Sequence, residues 1–303
     1  MAFDSNALET FRMLEGTGLP RILDQSIAHR RWRERVSGEE RAAWPEWVRG
    51  DEGGRPGQQI LEEEEEEIDR AELILCGSEF CASTMLAEGV PPDRLAVAEY
   101  GADTGRFSPG ESVRPERAGV RLLFVGALVL RKGIPYLLEA VQRVRSLGVA
   151  LTLAGTISVE RTALARFAEF TQVRGHLLHE EMPELYRSHD VYVFPSLVEG
   201  SSLSIYEALA TGLPVITTPN SGSIVRHGVE GLIVAPRDTD ALAAAIETLV
   251  RDPELRLQMG RAARERALRF GDWRHYGDRL VQRIVARFPE VSRTLDAGAR
   301  IEA

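Results

Sequence analysis

The chain has 303 residues and a formal net charge of −9, and its composition is 44% hydrophobic and 27% charged. This composition is typical of a soluble globular protein with room for two domains, and it excludes an intrinsically disordered chain. The acidic balance argues against general nucleic-acid binding, which depends on neutralising phosphates with lysine and arginine. A local basic patch, and with it contact with a membrane surface, stays open.

Neither a membrane span nor a signal peptide is predicted. No apolar run approaches the roughly 20 residues that cross a bilayer, and the segment MAFDSNALETFRMLEG lacks the basic and apolar regions of a signal peptide. Cys76 and Cys81 form a single pair without neighbouring histidines or further cysteines, which predicts reduced structural thiols. We therefore expect a cytoplasmic protein with no transmembrane segment and no metal site.

The first hundred residues carry helix and strand signals in an irregular order. Ser78 is a predicted helix cap, because serine favours the position just before a helix. The six glutamates at 62–67 are predicted to form the solvated face of a helix rather than an acidic interaction tail. The other predicted elements are helices over 7–18 and 26–35, strands over 73–75 and 94–100, a helix from 78 to 87 and a turn-rich loop over 49–57.

From Val120 onward, apolar runs and helical segments alternate strictly. The predicted strands cover 121–125, 150–154, 191–194, 214–217 and 232–234, and the predicted helices cover 134–147, 202–211, 239–251 and 273–288. Buried strands spaced by helices indicate a parallel sheet that is covered on both faces. This pattern predicts a doubly wound α/β domain whose ligand lies at the carboxyl ends of the strands.

Three loops that follow predicted strands have residues suited to an anionic ligand. In FVGALVLRKG, Gly126 allows a close backbone approach, and Arg131 and Lys132 can neutralise a diphosphate. Taken alone, this pair is explained better as an ordinary exposed pair of basic residues. The third loop, with turns at Pro219–Gly222 and Gly228–Gly231, is predicted to line the same ligand-binding crevice at the strand ends. Residues that merely form ordinary turns explain this pattern equally well.

The second loop, in FPSLVEGSSLSIYEALATG, joins a strand to a helix that is predicted to begin near Ser202. Backbone amides and the helix dipole make such a start an anion site. Glu199 precedes this helix and Glu207 lies within it, eight residues farther along. One carboxylate could then meet a sugar while the other meets hydroxyls farther along the ligand.

Residues 73–280 resemble family 4 of the retaining glycosyltransferases, which have the GT-B arrangement of two Rossmann-like domains around a cleft. Glu199 and Glu207 match the E-x7-E motif of that family. The other matching segments are ILCGSEFCASTML, EYGADTGRFSP, LLFVGALVLRKGIPYLLEA, ELYRSHDVYVFPSLVEGSSLSIYEALATGLPVITT and GLIVAPRDTDALAAAI. The resemblance predicts an α/β fold of GT-B type, with two doubly wound parallel-sheet domains of which the first is incomplete.

The resemblance also implies roles for individual residues. Catalytic roles fall to Arg131 and Lys132, which match the basic pair that holds the donor diphosphate, and to Glu199, which lies near the transferred sugar. The implied donor-binding residues are Gly126, Ser201, Ser202, Leu203 and Glu207, the last by hydrogen bonds to the ribose. The family usually continues Gly-Phe-Gly-Leu after the first glutamate, whereas Ser202 replaces the second glycine here, which is expected to restrict the loop.

The implied reaction moves a sugar from a nucleoside-diphosphate sugar, the co-substrate, to an acceptor hydroxyl with retention of configuration. It requires no cofactor, metal or nucleophilic side chain. The segment GLPRILDQSIAHRRWRER resembles the acceptor-side strand and loop of the family, which makes Asp24 and His29 acceptor-side candidates. For His29 the alternative, a surface histidine in a charged helix, is the more frequent situation.

The predicted organisation is a partial first domain (1–108), a linker (109–119), a donor-binding domain (120–272) and a C-terminal helix with a tail (273–303) that packs back on the first domain. A shortened first sheet would leave an edge that a partner chain or a dimer covers. Two alternatives stay open. One is a non-catalytic or remnant nucleotide-sugar-binding protein, and the other is a GT-B sugar-nucleotide epimerase, which explains the E-x7-E motif less well.

Overall fold

The computed structural model describes residues 1–50, 57–110 and 119–290. Most of the predicted linker, most of the turn-rich loop over 49–57 and the C-terminal tail lie outside these ranges. No helix within them combines the length and the apolar character that crossing a membrane requires.

The first domain is built on a four-stranded sheet in which every neighbouring pair is parallel. Four helices accompany this sheet, and the helix that follows Ser78 has the predicted bounds because the Ser78 side chain accepts a hydrogen bond from the Cys81 amide. The strands, in their order across the sheet, are β1 (Ala2–Phe3), β2 (Ile22–Gln25), β3 (Leu73–Cys76) and β4 (Leu95–Val97). The helices, in chain order, are α1 (Leu8–Met13), α2 (Arg30–Ala43), α3 (Gly57–Arg70) and α4 (Glu79–Ala87).

The second domain contains a six-stranded, wholly parallel sheet with helices on both faces, as predicted. Its strands, in the order in which they lie across the sheet, are β10 (Gly231–Ile233), β9 (Val215–Thr217), β8 (Val191–Phe194), β5 (Val120–Val125), β6 (Val149–Ala154) and β7 (Thr171–Gly175). Its helices are α5 (Ile134–Val144), α6 (Arg161–Ala165), α7 (Met182–Arg187), α8 (Leu203–Ala210), α9 (Thr239–Arg251) and α10 (Pro253–Phe270). The order reverses between β5 and β8, which makes this the topological switch point where doubly wound domains bind ligands.

The last helix, α11 (Trp273–Arg287), returns to the first domain. Leu280 and Ile284 pack against the apolar cluster that contains Leu73 and Leu75 of β3. The chain passes between the domains twice, once before β5 and once before α11. The two connecting segments lie side by side, and the Ala102 amide of the first donates to the Gly271 carbonyl of the second at 2.8 Å.

Several predicted elements have different limits in the structure. The helix predicted over 7–18 ends at Met13, and the helix predicted over 26–35 begins only at Arg30. Of the strand predicted over 94–100, only the part that forms β4 is a strand. Strand β7 was not predicted, because its sequence TQVRG contains a single apolar side chain, Val173, and lacks the apolar run of the other strands.

The glutamate run forms a helix, α3, as predicted, but the prediction of a solvated face was wrong for two of its members. Glu64 and Glu67 are buried. Glu64 forms ion pairs with Arg30 and Arg33 of α2. Buried carboxylates need such partners, because an unpaired charge in the interior is costly. The acidic helix therefore joins elements of the first domain.

Glu67 holds the turn that leads into α1. One of its carboxylate oxygens accepts hydrogen bonds from the amides of Ala7 and Leu8 at 2.7 and 3.0 Å, and the other accepts from the Ser5 amide at 2.8 Å. These amides belong to the start of a helix, where backbone donors lack intrahelical partners. Burial raises the pKa of Glu67, and the three hydrogen bonds from the amides act in the opposite direction.

Replacing Glu67 with alanine is expected to lower the free energy of unfolding by about 2–4 kcal/mol, because it leaves three amides without their acceptor. Urea denaturation at neutral pH measures this loss. Glu62, an exposed member of the same run, is the matched control, and Glu62→Ala should cost less than about 0.5 kcal/mol. Equal losses for the two variants would contradict the anchoring role of Glu67.

Candidate functional site

The candidate site lies at the carboxyl ends of β5 and β8. A cavity of about 570 Å³ opens there, within the range of small-molecule sites in proteins. It brings together residues from two of the three predicted loops and from the start of α8. The predicted site residues that line it are Gly126, Lys132, Glu199, Ser201, Ser202, Leu203 and Glu207.

The basic pair and the first glutamate are in direct contact. Arg131 donates from Nη1 to Glu199 Oε1 at 2.6 Å and to the Val198 carbonyl at 2.9 Å. The Lys132 ammonium lies 3.4 Å from the same oxygen of Glu199. Arg131 does not line the cavity itself. It contacts Glu199 from the side away from the cavity, whereas Lys132 and Glu199 both line it.

Lys132 is the only lysine of the chain, although lysine and arginine together number 37. Its side chain is largely buried, with 14% exposed, and it lies over the Phe194 ring at 5.1 Å from the centroid. Burial lowers the pKa of Lys132, and Glu199 counteracts part of that effect. All remaining Lys/Arg positions of the chain are arginine. Lysine at position 132 supplies a compact point charge, which arginine does not. This single occurrence is a sequence signal for the residue.

Gly126 is required by the position of that lysine. A Cβ atom at Gly126 would lie 2.8 Å from Lys132 Nζ, and the residue has φ +146°, which side-chain-bearing residues rarely adopt. The glycine therefore lets the ammonium fold back over the end of β5, facing the cavity.

Glu207 lies one turn inside α8 and lines the same cavity. The buried Tyr186 of α7 donates from its hydroxyl to Glu207 Oε2 at 2.7 Å. Burial raises the pKa of Glu207 to about 7, although the hydrogen bond from Tyr186 and the positive charge of Arg106 favour its ionised form. Tyr186 and Arg106 were not predicted as part of the site.

The loop before α8 is held between the two domains. Ser78 Oγ of the first domain donates to the Gly200 carbonyl, and a Cβ atom at Gly200 would overlap the Ser26 carbonyl. Ser202 has φ −77° and ψ 103°, a conformation open to any residue. The expected restriction from losing the second glycine of the family pattern therefore has no backbone basis here.

The third predicted loop supports the site from outside the cavity. Its Asn220 and Ser221 carbonyls accept from the amides of Glu199 and Ser202 at 3.1 and 3.2 Å. None of the residues at Pro219–Gly222 or Gly228–Gly231 lines the cavity, so the expectation that they wall it was wrong. The Ser202 amide is already hydrogen-bonded within the protein.

Asp24 and His29 are both buried, and neither lines this cavity. Asp24, at the end of β2, accepts hydrogen bonds from the Tyr100 and Tyr276 hydroxyls at 3.1 and 3.3 Å. Burial raises the pKa of Asp24. His29 caps α2, where its Nδ1 accepts from the Arg31 amide at 3.2 Å, so it is not the surface histidine that its charged neighbourhood suggests. Burial lowers the pKa of His29.

The loop after β7 supplies further lining residues that the sequence did not reveal. His176 and His179 of this loop line the cavity, and so does Met182 at the start of α7. The His179 ring lies 6.0 Å from the Phe107 ring. Because β7 was not predicted, the carboxyl end that carries these residues was not recognised either. Within the described ranges, no group of three or more His, Cys, Asp or Glu side chains is arranged to hold a metal ion.

Solved structures share this architecture over nearly the whole chain. The chain of HepE from Anabaena in complex with UDP and glucose superposes with a TM-score of 0.70 at 16% identity, and the match covers 94% of this chain and 77% of that one. Sucrose-phosphate synthase from Thermosynechococcus elongatus gives 0.66 at 20% identity, with 96% and 77% covered. The chain has the GT-B fold of glycosyltransferases.

Sequence comparisons agree with the GT-B assignment. Residues 119–252 match the family model described as Glycosyl transferases group 1. Glycogen synthase of Mycobacterium tuberculosis is 33% identical over 210 residues, which cover 66% of this chain and 50% of that protein. D-inositol 3-phosphate glycosyltransferase of Pseudarthrobacter chlorophenolicus is 34% identical over 220 residues, with 66% and 52% covered. The chain thus spans about half the length of these relatives.

Proposed function

We propose that this chain is a retaining glycosyltransferase that moves a sugar from a nucleoside-diphosphate donor to an acceptor hydroxyl. The observation that carries the proposal is that Lys132, Glu199 and Glu207 face one cavity at the switch point of the second sheet. A cation, the start of a helix and two carboxylates converge there. This is the set of groups that a diphosphate joined to a ribose and a sugar requires.

Each part of the cavity has a role in the proposed reaction. The Lys132 ammonium and the dipole at the start of α8 stabilise the negative charge that develops on the departing diphosphate. Glu207 accepts hydrogen bonds from the ribose hydroxyls. Glu199 keeps both cations in position and lies where the transferred sugar would enter. The acceptor hydroxyl attacks from the face that the nucleotide leaves, and a phosphate oxygen takes its proton.

The names of the relatives support the reaction class. They include a glycogen synthase, a D-inositol 3-phosphate glycosyltransferase and a GDP-mannose-dependent mannosyltransferase. The first name gives a product, the second an acceptor and the third a donor, so together they support sugar transfer without choosing a substrate. Retention follows in the proposal from the E-x7-E pattern at Glu199 and Glu207. We place the protein in the cytoplasm, where nucleotide sugars are made.

Calorimetric titration with UDP, GDP and ADP tests the proposal. We expect one of the three to bind at least tenfold more tightly than the others, which corresponds to about 1.4 kcal/mol. Sugars carried on that nucleotide are then tested for slow hydrolysis and for transfer to hydroxyl acceptors. NMR of the first product reports the anomeric configuration, which should match that of the donor.

Two results would contradict the proposal. The absence of binding for all three nucleotides at millimolar concentration would remove the donor site. Tight nucleotide binding without hydrolysis or transfer of any matching sugar would instead favour a non-catalytic nucleotide-sugar-binding protein. An inverted product would overturn the retaining mechanism alone.

A further inference from the structure

Tyr186 of α7 lies next to the cavity and holds one of the residues that line it. Its side chain is fully buried, and Tyr186 itself does not line the cavity. The Tyr186 hydroxyl donates to Glu207 Oε2 at 2.7 Å and lies 3.2 Å from the Ser204 carbonyl of α8. Within the described part of the chain, no hydrogen-bond donor contacts the other oxygen, Glu207 Oε1. One carboxylate oxygen is therefore held by the protein, and the other is left for a ligand.

The ring of Tyr186 is fixed by aromatic neighbours on two sides. The Phe107 ring packs edge-on against it, with the centroids 5.7 Å apart, and the ring of Tyr192 of β8 lies at 5.8 Å. Phe107 is itself buried, and its carbonyl accepts from Arg264 of α10 at 2.9 Å. A residue that orients a binding group needs such support, because its own rotamer has to be locked by packing. The Tyr186 hydroxyl therefore meets Glu207 from one fixed direction.

The Tyr186 hydroxyl can serve the carboxyl group of Glu207 in either protonation state. It donates to the ionised form. It can accept from the protonated form while its own proton turns to the Ser204 carbonyl. Burial raises the pKa of Glu207 to about 7, and the hydrogen bond from Tyr186 and the charge of Arg106 oppose that rise. The other ionisable groups around Glu207 are Tyr192 of β8 and, lining the same cavity, Lys132, Glu199, His176 and His179.

A carboxylate that accepts from a sugar hydroxyl has to present its oxygen in the right direction, because a hydrogen bond weakens steeply away from linearity. We propose that Tyr186 is a positioning residue for the nucleotide sugar, which occupies Oε2 of Glu207 and turns Oε1 toward the ribose hydroxyls. Tyr186 acts through Glu207 and does not touch the nucleotide. This inference rests on the proposed function, in which Glu207 accepts hydrogen bonds from the ribose.

Calorimetry at pH 8, with the nucleotide identified by titration, measures the contribution of Tyr186. Tyr186→Phe keeps the ring and should weaken nucleotide affinity at least about fivefold, because the carboxylate loses a charge-assisted hydrogen bond. Tyr192→Phe is the matched control. It removes another buried hydroxyl of the same ring cluster, one that donates to Ser204 Oγ at 2.6 Å, and should leave the affinity within about twofold. Equal affinities of Tyr186→Phe and Tyr192→Phe would overturn the proposal.

A double-mutant cycle separates positioning from packing. In a Glu207→Ala background there is no carboxylate to orient, so adding Tyr186→Phe should change nucleotide affinity less than about twofold. A loss as large as that in the otherwise unchanged protein would mean that Tyr186 acts on the packing of the site. That result would overturn the proposal.

The pH profile of nucleotide affinity gives a readout that packing alone would not move. In the unchanged protein, affinity should rise as Glu207 ionises near pH 7. Tyr186→Phe should displace this rise to higher pH, because losing a donor to the ionised form raises the pKa of Glu207. The two histidines contribute to the profile in both proteins, and Glu207→Ala reports their share. A rise at the same pH in both proteins would contradict the positioning role.

The same measurements distinguish this inference from the proposed function. If none of the nucleotides binds to the unchanged protein, the donor site itself is refuted. If a nucleotide binds normally and Tyr186→Phe behaves like Tyr192→Phe, only the role of Tyr186 fails and the donor site stands.

Discussion

Replacing Lys132 with alanine is expected to lower the turnover of sugar transfer at least tenfold, which corresponds to about 1.4 kcal/mol or more in the activation barrier. The ammonium is largely buried beside Glu199 and over the Phe194 ring. Charge stabilisation is stronger in such a partly dehydrated site than in water. Its loss should act on the departing diphosphate and therefore on the chemical step. Turnover is measured at saturating donor with the nucleotide identified by titration.

Two control variants define what the loss means. Arg145→Ala removes one exposed positive charge that pairs with an exposed glutamate, and it should leave turnover unchanged. Lys132→Arg keeps the charge but spreads it over a larger planar group beside Gly126, where even an added Cβ atom would lie 2.8 Å from Lys132 Nζ. Partial activity in Lys132→Arg would show that charge matters most. Unchanged turnover in Lys132→Ala would refute the assignment of this residue.

The single lysine allows its protonation to be observed directly. Reductive methylation with labelled formaldehyde marks only Lys132 and the N-terminal amine, since the chain has no other lysine. The NMR signal of the methylated side chain should titrate at a pKa below the ordinary lysine value, because burial disfavours the charged form. Nucleotide binding should raise that pKa, because a diphosphate stabilises the ammonium.

The sequence was sufficient for the parts of the second domain that carry continuous local signals. Strand β8 and helix α9 have the predicted bounds, since one is an uninterrupted apolar run and the other begins after Asp238, whose side chain caps it. The strand–loop–helix context of Glu199 and Glu207 is equally local. These signals are enough to locate most of the donor cavity, because its residues lie at strand ends that the apolar runs define.

The remaining features depend on residues far apart in the chain. Glu67 is buried because it accepts from amides about 60 residues away, a relation that no local pattern shows. His176 and His179 were missed with the edge strand β7. The third loop meets the site through carbonyls that accept from the Glu199 and Ser202 amides and from the Ser201 hydroxyl. Such long-range contacts arise from the packing of loops. The amino-acid composition of a loop does not indicate which part of the chain it will contact.

Glu207→Gln is expected to have opposite effects on nucleotide affinity and on stability. The neutral amide should weaken nucleotide affinity about tenfold at pH 8, because a hydrogen bond from a ribose hydroxyl to a carboxylate is stronger than one to an amide. The same variant should raise the free energy of unfolding at pH 8. Calorimetry and urea denaturation measure the two effects on the same samples.

The sign of the stability effect follows from the pKa of Glu207. The folded protein raises this pKa from the ordinary value of 4.5 to about 7, chiefly through burial. Between these values the unfolded chain has already released the proton that the folded state still holds, so stability falls as pH rises through this window. Above pH 7 the full cost is present, on the order of 1–3 kcal/mol. The glutamine does not titrate and should avoid this cost.

The pH profile therefore discriminates between a binding residue and a merely structural one. At pH 5 the wild-type carboxyl group is protonated in the folded state, so wild type and Glu207→Gln should have nearly equal stability and nearly equal nucleotide affinity. Both differences should grow between pH 6 and 8, with opposite signs. Glu169→Gln, at an exposed position that pairs with Arg145, should show neither difference. Glu207→Gln could instead be more stable at pH 8 and bind the nucleotide as tightly as wild type. The ionised carboxylate would then cost stability without contributing to nucleotide binding, and the assignment of Glu207 to the ribose hydroxyls would be wrong.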